Sequence, residues 1–126
     1  MDKLYEGGCR CGAVRYRVSG EPSKAGLCHC AECRKETGSP FLYFADWRID
    51  QFSAEGEHKT YQGRSFCPRC GSTLFHLSED HVEIALGSLD EAPVAFVPQV
   101  EGWIKRREPW LVTVAGAGQH REDPPR

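Results

Sequence analysis

Hydrophobic and polar residues alternate over short segments along most of the chain. Val14, Tyr16 and Val18 fall on one face of segment 13–18 and two arginines fall on the other, which is the period of a half-buried strand. Similar segments, bounded by Gly, Pro, Ser or Asp, follow at 40–47, around Phe52 and Tyr61 with a turn at 55–57 between them, at 73–77, at 82–86 and at 94–97. The pattern predicts a mainly β protein with at least six short strands.

A helical pattern is confined to residues 30–37, where Ala, Glu, Arg and Lys favour a helix and Gly38 stands at the position of a C-terminal cap. After Trp110 the apolar content falls, and the last stretch has too few apolar groups to offset the entropy lost on ordering. A chain of 126 residues is long enough to bury one core. We therefore expect a single domain over residues 1–114 and a flexible tail over 115–126.

Charge and hydropathy argue against nucleic-acid and membrane partners. Sixteen Lys and Arg against eighteen Asp and Glu give a formal net charge of −2. Proteins that bind a phosphate backbone usually carry a basic excess, so we expect no nucleic-acid partner. No apolar run approaches the roughly 18 residues that a membrane span needs, and the first residues carry no apolar signal region. We therefore expect a cytoplasmic protein with no membrane partner, whose oligomeric state these features do not determine.

Seven cysteines are the most informative residues in the chain. An odd number cannot be consumed by internal disulfides, and an intracellular compartment keeps thiols reduced. Close spacing favours metal ligation instead, because it brings several thiolates to one ion locally. The cysteines form three groups, which are Cys9 and Cys11; Cys28, Cys30 and Cys33; and Cys67 and Cys70.

The spacing within the groups indicates how sulfurs meet a metal. Residues 67–71 read CPRCG, which fits a zinc knuckle in which a glycine lets backbone N–H groups point at the sulfurs. A redox CxxC motif is the rival interpretation, but that motif normally lies in a βαβ unit, and the strand pattern predicts none. Cys30 and Cys33 share one face of the predicted helix and Cys28 precedes it, which favours a three-sulfur site. Spacing alone leaves open whether Cys9 and Cys11 join the last pair or two of the middle three.

Four ordered motifs give the chain a family resemblance. GCRCG at 8–12, CHCAECR at 28–34, FCPRCG at 66–71 and GSLD at 87–90 resemble the glutathione-dependent formaldehyde-activating enzyme family, whose domain is shared with centromere protein V. The resemblance runs over residues 7–110 and implies an Mss4-like β-tent, a set of small antiparallel sheets pinned by zinc, with one short helix. It also implies two Zn²⁺ per chain. A structural zinc would correspond to Cys9, Cys11, Cys67 and Cys70, and a catalytic zinc to Cys28, Cys30 and Cys33.

The resemblance implies a carbon–sulfur lyase that acts on a thiol–aldehyde adduct, as S-(hydroxymethyl)glutathione synthase does, with a thiol such as glutathione and an aldehyde such as formaldehyde as partners. Four sulfurs close a structural zinc site, whereas three leave a position for water or substrate, so we expect the second ion to be lost more readily. Three thiolates leave a net charge of about −1 on a zinc site, which favours thiolate delivery over polarisation of the aldehyde. The chain is shorter than the glutathione-specific members, so the thiol and the aldehyde stay open. The alternative is a non-catalytic zinc-stabilised binding module of the centromere protein V or Mss4 type.

Other side chains near the cysteines are weaker candidates. Five cations flank the cysteine groups, namely Arg10, Arg34, Lys35, Arg64 and Arg69. Arg34 and Lys35 are the preferred partners for the two carboxylates of glutathione. His29 stands between two predicted ligands, where local hydrogen bonding is favoured over a role as a further ligand. The aromatic residues of segment 41–47 are favoured as core over a ligand cage.

Overall fold

The structure is a computed structural model that describes residues 2–125. Over this range the chain forms eleven strands and one α helix. In chain order they are β1 (Leu4–Gly8), β2 (Arg15–Ser19), β3 (Lys24–Cys28), α1 (Ala31–Thr37), β4 (Leu42–Arg48), β5 (Phe52–Glu55), β6 (Lys59–Tyr61), β7 (Arg64–Phe66), β8 (Thr73–Leu77), β9 (His81–Ala85), β10 (Val100–Gly102) and β11 (Gly118–Gln119). Short 3-10 turns lie at Ile49–Gln51, Leu86–Ser88 and Ile104–Arg106.

The strands form two sheets. One has three strands in the order β1-β2-β5, and the other has eight in the order β11-β10-β3-β4-β9-β8-β7-β6. Neighbouring strands are antiparallel except for β10, which runs parallel to both β3 and β11. The predicted fold class, a mainly β Mss4-like β-tent with one short helix, is confirmed. No helix of residues 2–125 has the length and apolarity that crossing a membrane requires.

The core lies between the two sheets. Trp47 and Ile84 of the large sheet and Val18 of the small sheet are fully buried. Tyr16 of β2 meets Phe75 of β8 edge-on, with ring centroids 5.9 Å apart. Fully burying an apolar side chain contributes about 1.5–3 kcal/mol, so the contact between the sheets is a main source of stability.

A close approach of backbones joins the sheets at the GSLD motif. Gly7 of β1 forms an isolated antiparallel bridge with Leu89, and the hydroxyl oxygens of Tyr16 and Ser88 lie 2.6 Å apart. A methyl group at Gly7 would lie 2.5 Å from the carbonyl oxygen of Ser88 and 2.5 Å from the hydroxyl of Tyr16. A residue without a side chain is therefore required at this crossing.

Most of the elements predicted from sequence are present with their ends shifted by at most two residues. Segment 73–77 is β8, and segments 13–18, 40–47 and 82–86 overlap β2, β4 and β9. Gly56, with φ of 94°, makes the predicted turn between β5 and β6. The helix is confirmed at Ala31–Thr37, and Gly38 ends it with φ of 65°.

The strand predicted at 94–97 is wrong, because this segment pairs with no strand among the described residues. Its apolar residues cover the core instead. The ring of Phe96 packs against that of Trp47, with centroids 5.6 Å apart, and its carbonyl accepts a hydrogen bond from the hydroxyl of Tyr43. Five further strands, β1, β3, β7, β10 and β11, are not predicted from sequence. Glycines in β1 and β3 interrupt the alternation that would mark them.

The segment after residue 114 contacts the domain. β11 pairs with β10, and the backbone N–H groups of Trp103 and Ile104 donate to the carbonyl oxygens of Glu122 and His120 at 3.0 Å. The domain boundary at 114 and the flexibility of the tail stay predictions. These contacts nevertheless place the described part of the tail against the strand that lies beside β3.

Candidate metal centres and active site

The fold brings the seven cysteines together as two groups. Within each group the sulfurs lie within 4.8 Å of one another. One group, the quartet, contains Cys9, Cys11, Cys67 and Cys70, and the other, the trio, contains Cys28, Cys30 and Cys33. The question that spacing left open is thus answered, because the first pair of cysteines meets the last pair. Each group could hold a metal ion.

The quartet has the spacing of a tetrahedral thiolate site. Sγ of Cys11 lies 3.5 Å from Sγ of Cys9 and 3.7 Å from Sγ of Cys67. Four sulfurs about 2.3 Å from a central zinc are separated from each other by about 3.8 Å. The donor set and its dimensions therefore fit zinc, and they link β1 to the segment that follows β7.

Backbone N–H groups donate hydrogen bonds to sulfurs of the quartet, which favours the thiolate form of these cysteines. The backbone N–H of Val14 donates to Sγ of Cys9 at 3.2 Å, and the N–H groups of Arg69 and Cys70 donate to Sγ of Cys67 at 3.4 and 3.5 Å. The Ser72 side chain and backbone lower the pKa of Cys70 to about 5. Donors of this kind stabilise thiolates and orient them toward a metal.

The trio lies where β3 meets α1. Cys28 ends β3, Cys30 is the N-cap of α1, and Cys33 lies in its first turn with its N–H 3.4 Å from Sγ of Cys30. Hydrogen bonding from Cys33 lowers the pKa of Cys28 to about 6. The same hydrogen bond raises the pKa of Cys33, and burial raises that of Cys30. Without a metal, Cys28 is therefore the thiol of the trio that loses its proton most readily.

A cavity of about 620 Å³ opens beside the trio. All three cysteines line this cavity, which we call the trio cavity, and Phe44 of β4 forms an apolar wall next to them. Trp103, Arg106 and residues 123–124 also line it. The trio therefore faces a space that a small molecule can enter.

Five adjacent strands of the large sheet place a row of ionisable residues in the trio cavity. In register across β3, β4, β9, β8 and β7 these residues, the ionisable row, are Lys24, Asp46, Glu83, His76 and Arg64. Burial, followed by the carboxylate of Asp46, raises the pKa of Glu83 to about 7. The trio cavity thus combines an apolar wall at Phe44 with a row of charged side chains that reaches the cysteines at Arg64.

The cations predicted near the cysteines differ in what they contact. Nη1 of Arg64 lies 3.9 Å from Sγ of Cys33. Arg34 instead donates to the carbonyl oxygen of Arg106 and to the carboxylate of Glu108. Lys35 lines a separate cavity of about 410 Å³. Within the described chain, neither Arg34 nor Lys35 lines the trio cavity, so the preference for them as glutathione partners is not supported.

His29 is buried with a carboxylate and is not part of the sulfur cluster. Its side chain is 1% exposed, and Nε2 lies 2.8 Å from Oε1 of Glu101. Oε2 of Glu101 accepts hydrogen bonds from the N–H of Val114 and from Nε2 of Gln119, both at 2.9 Å. His29 therefore connects the loop between Cys28 and Cys30 to the C-terminal segment. Hydrogen bonding is expected of His29, but its partner lies 72 positions away in the chain and is not local.

Sequence reasoning named Arg64 among the cations near the cysteines, but it missed the other four members of the ionisable row and Glu101. Each residue of the row is an ordinary charged position of its own strand, and only the register of five strands brings them together. Alternation along β9, where Val82 and Ile84 are buried and Glu83 faces the other side, is the single available signal. Glu101 gives no signal because β10 is short and was not predicted.

A sequence model of the family described as glutathione-dependent formaldehyde-activating enzyme matches residues 4–106. The chain belongs to this family. The match includes both cysteine groups and the ionisable row and stops before the C-terminal contacts of Glu101.

Relatives of known name share part of the chain. A protein of Schizosaccharomyces pombe named as an uncharacterized lyase is 35% identical over 77 residues, which are 56% of this chain and 56% of the relative. A protein of Halomonas elongata named as a candidate glutathione-dependent formaldehyde-activating enzyme is 35% identical over 86 residues, which are 57% of this chain and 55% of the relative. The matched part spans little more than half the length of these curated relatives. The names support enzyme status for the family.

A crystal structure of a Rhodobacter sphaeroides protein resembles this chain with a TM-score of 0.58 and 24% sequence identity. The likeness covers 74% of this chain and 97% of that one. It shows a shared fold.

Proposed function

We propose that this member of the glutathione-dependent formaldehyde-activating enzyme family is a zinc-dependent carbon–sulfur lyase that makes or breaks a thiol–aldehyde adduct. The trio would hold the catalytic zinc and the quartet the structural zinc. The observation that carries the proposal is the trio's position on a cavity of about 620 Å³. Three sulfur ligands at a cavity leave room for a substrate atom, as catalytic zinc sites do.

The chemistry is a proton-balanced addition. The thiol sulfur forms a bond to the aldehyde carbon, the carbonyl π bond breaks, and the proton lost by the thiol ends on the aldehyde oxygen. A zinc ion bound at the trio would supply stabilisation of the thiolate near neutral pH. The reverse reaction breaks the carbon–sulfur bond and returns the proton to sulfur.

The side chains of the trio cavity would bind and orient the substrates. Phe44, which packs against Cys33, excludes water from one side of the reacting atoms. Lys24 and Arg106 would present positive charge to a substrate carboxylate, and Asp46 would present a carboxylate to an ammonium group. A charged thiol such as glutathione, with an aldehyde such as formaldehyde, matches this mixture of charges.

The test is an adduct assay that separates metal dependence from the spontaneous reaction. Zinc-loaded protein is mixed with isotopically labelled formaldehyde and glutathione, and the rate of adduct formation is followed by NMR against a protein-free reference. Cys30→Ser is the matched control, because it removes one trio sulfur and leaves the quartet intact. Acceleration that needs zinc and is lost in Cys30→Ser supports the proposal. No acceleration with any charged thiol tried would contradict it and favour the non-catalytic binding module.

A further inference from the structure

Arg64 approaches the trio from the far end of the ionisable row. Its guanidinium lies in the trio cavity with 21% of the side chain exposed. Nη1 lies 3.9 Å from Sγ of Cys33 and also donates to Oε1 of Glu36. Nη2 lies 3.9 Å from Oε2 of Glu32. The Arg64 guanidinium thus lies close to one sulfur and two carboxylates, all of which belong to α1.

Helix geometry explains this convergence. Glu36 follows Cys33 by three residues, and residues three apart lie on neighbouring positions of a helix face. The Glu36 side chain, with 17% exposed, therefore holds the guanidinium beside the Cys33 sulfur. Arg64 comes from β7, which is separated from α1 by more than 25 residues of chain.

The trio needs a positive neighbour for electrostatic reasons. Three thiolates around a divalent ion keep a net charge of about −1, and that charge lies in a partly buried site where it is costly. Of the five cations flanking the cysteine groups, Arg64 is the one whose side chain reaches a cysteine sulfur in the described chain. At the trio, the backbone N–H of Cys33 donates to Sγ of Cys30, and a backbone hydrogen bond from Cys30 acts on Cys28. Arg64 supports the third sulfur, that of Cys33.

We infer that Arg64 is a positioning residue of the trio, whose guanidinium compensates the charge of the Cys33 thiolate and so strengthens metal binding at this site. The inference rests on the proposed zinc site at the trio. It differs from a simpler role in which Arg64 only anchors α1 to β7 through its ion pair with Glu36. Breaking the ion pair by changing Arg64 or by changing Glu36 distinguishes the two roles, because only the first change removes the cation from Cys33.

The experiment compares Arg64→Gln, Arg64→Lys and Glu36→Gln with the wild-type protein. Each protein is loaded with Co²⁺, the two binding steps are followed by titration against a chelator, and Cys30→Ser supplies the baseline for the quartet alone. Losing a neighbour that supports a metal ligand typically costs about 10–100-fold in affinity. Arg64→Gln is therefore expected to weaken binding at the trio by about that factor and to leave the quartet unchanged. Glu36→Gln is expected to weaken binding at the trio less than Arg64→Gln does, because it keeps the cation and its amide oxygen can still accept a hydrogen bond from the guanidinium.

The thiolate-to-cobalt charge-transfer band gives a second readout. A guanidinium beside sulfur stabilises the donor orbitals, so its loss in Arg64→Gln should move the trio band to longer wavelength, while Glu36→Gln should not. Arg64→Lys keeps a positive charge and should restore part of the affinity, which keeps the test informative if Arg64→Gln fails to fold. Equal weakening by Arg64→Gln and Glu36→Gln, or no change in either, would overturn the inference. A wild-type protein that binds one ion only would instead contradict the proposed trio site itself.

Discussion

The quartet and the trio use the same donor atom in different surroundings. The quartet joins cysteines that are up to 61 positions apart in the chain, and backbone N–H groups from tight turns support its sulfurs. The trio is local, within six residues, and it borders a cavity lined by side-chain charges. The comparison teaches that the number of sulfurs is less informative than what lies around them. A site tied into the backbone stabilises a fold, whereas a site facing a cavity is available to a substrate.

The largest expected effect of this difference is on the fold itself. Cys67→Ser removes a buried quartet ligand that lies 3.7 Å from Cys11. Structural zinc contributes an apparent free energy of about 10–16 kcal/mol in small zinc domains, so the variant is expected to unfold or aggregate. Circular dichroism and thermal melting measure the loss. A Cys67→Ser protein that melts like the wild type would break the assignment of the quartet as the structural site.

The ionisable row makes the stability of the folded protein depend on pH. The pKa of Glu83 is raised from 4.5 to about 7, first by burial and then by Asp46. Because the folded state favours the protonated carboxyl, wild-type stability falls as the pH rises from about 4.5 through 7. Glu83→Gln removes this penalty, so its stability relative to wild type should grow over that interval by at most about 3 kcal/mol, reduced by solvent screening.

Urea unfolding of Glu83→Gln at pH 4, 6 and 8 measures this effect. Glu57→Gln, which changes an exposed glutamate in the turn after β5, is the matched control. If Glu83→Gln differs from the wild type by the same free energy of unfolding at all three pH values, the pKa of Glu83 is not raised in the folded protein and this prediction is wrong.

A smaller effect is expected behind the trio, at Glu101. Glu101→Gln replaces one carboxylate oxygen with an amide N–H₂ group. In one orientation this group faces the two donors, Val114 N–H and Gln119 Nε2, and in the other it faces Nε2 of His29. A buried donor left without an acceptor costs about 1–3 kcal/mol, so the variant should lose stability by that amount. It should also increase hydrogen exchange in the C-terminal segment, while quartet metal retention stays unchanged. Glu79→Gln on an exposed turn is the control, and equal exchange in both variants would contradict the connection.

The smallest expected effect on the fold is that of Cys30→Ser. Serine is a good N-cap and can accept the hydrogen bond that Cys30 accepts from the N–H of Cys33. The free energy of unfolding should change by less than about 1 kcal/mol, while metal content falls from two ions per chain to one. Elemental analysis and melting measure both. If Cys30→Ser melts the domain and Cys67→Ser does not, the roles of the two groups are reversed.

The sequence predicts local features of this molecule well and distant pairings poorly. The capped helix and the cysteine groups could be predicted because their determinants lie within about ten residues of each other. The meeting of Cys9 with Cys67 needed the family resemblance, since spacing left two pairings open. The parallel pairs of β10 and the row through Glu83 depend on register between strands far apart in the chain, which a single sequence does not encode in any local pattern. A strand is wrongly predicted at 94–97, because apolar residues that cover a core give the same sequence pattern as those of a buried strand.

The contact at Gly7 links the junction of the two sheets to the quartet. Cys9 follows Gly7 by two residues, and Ser88 and Leu89 lie three and four residues after β9, which carries Glu83 into the trio cavity. An added methyl group has no room at this crossing, so a larger residue there would wedge the two sheets apart. The same displacement would carry Cys9 away from Cys67 and Cys70, and a substitution that touches no cysteine would thereby loosen a metal site.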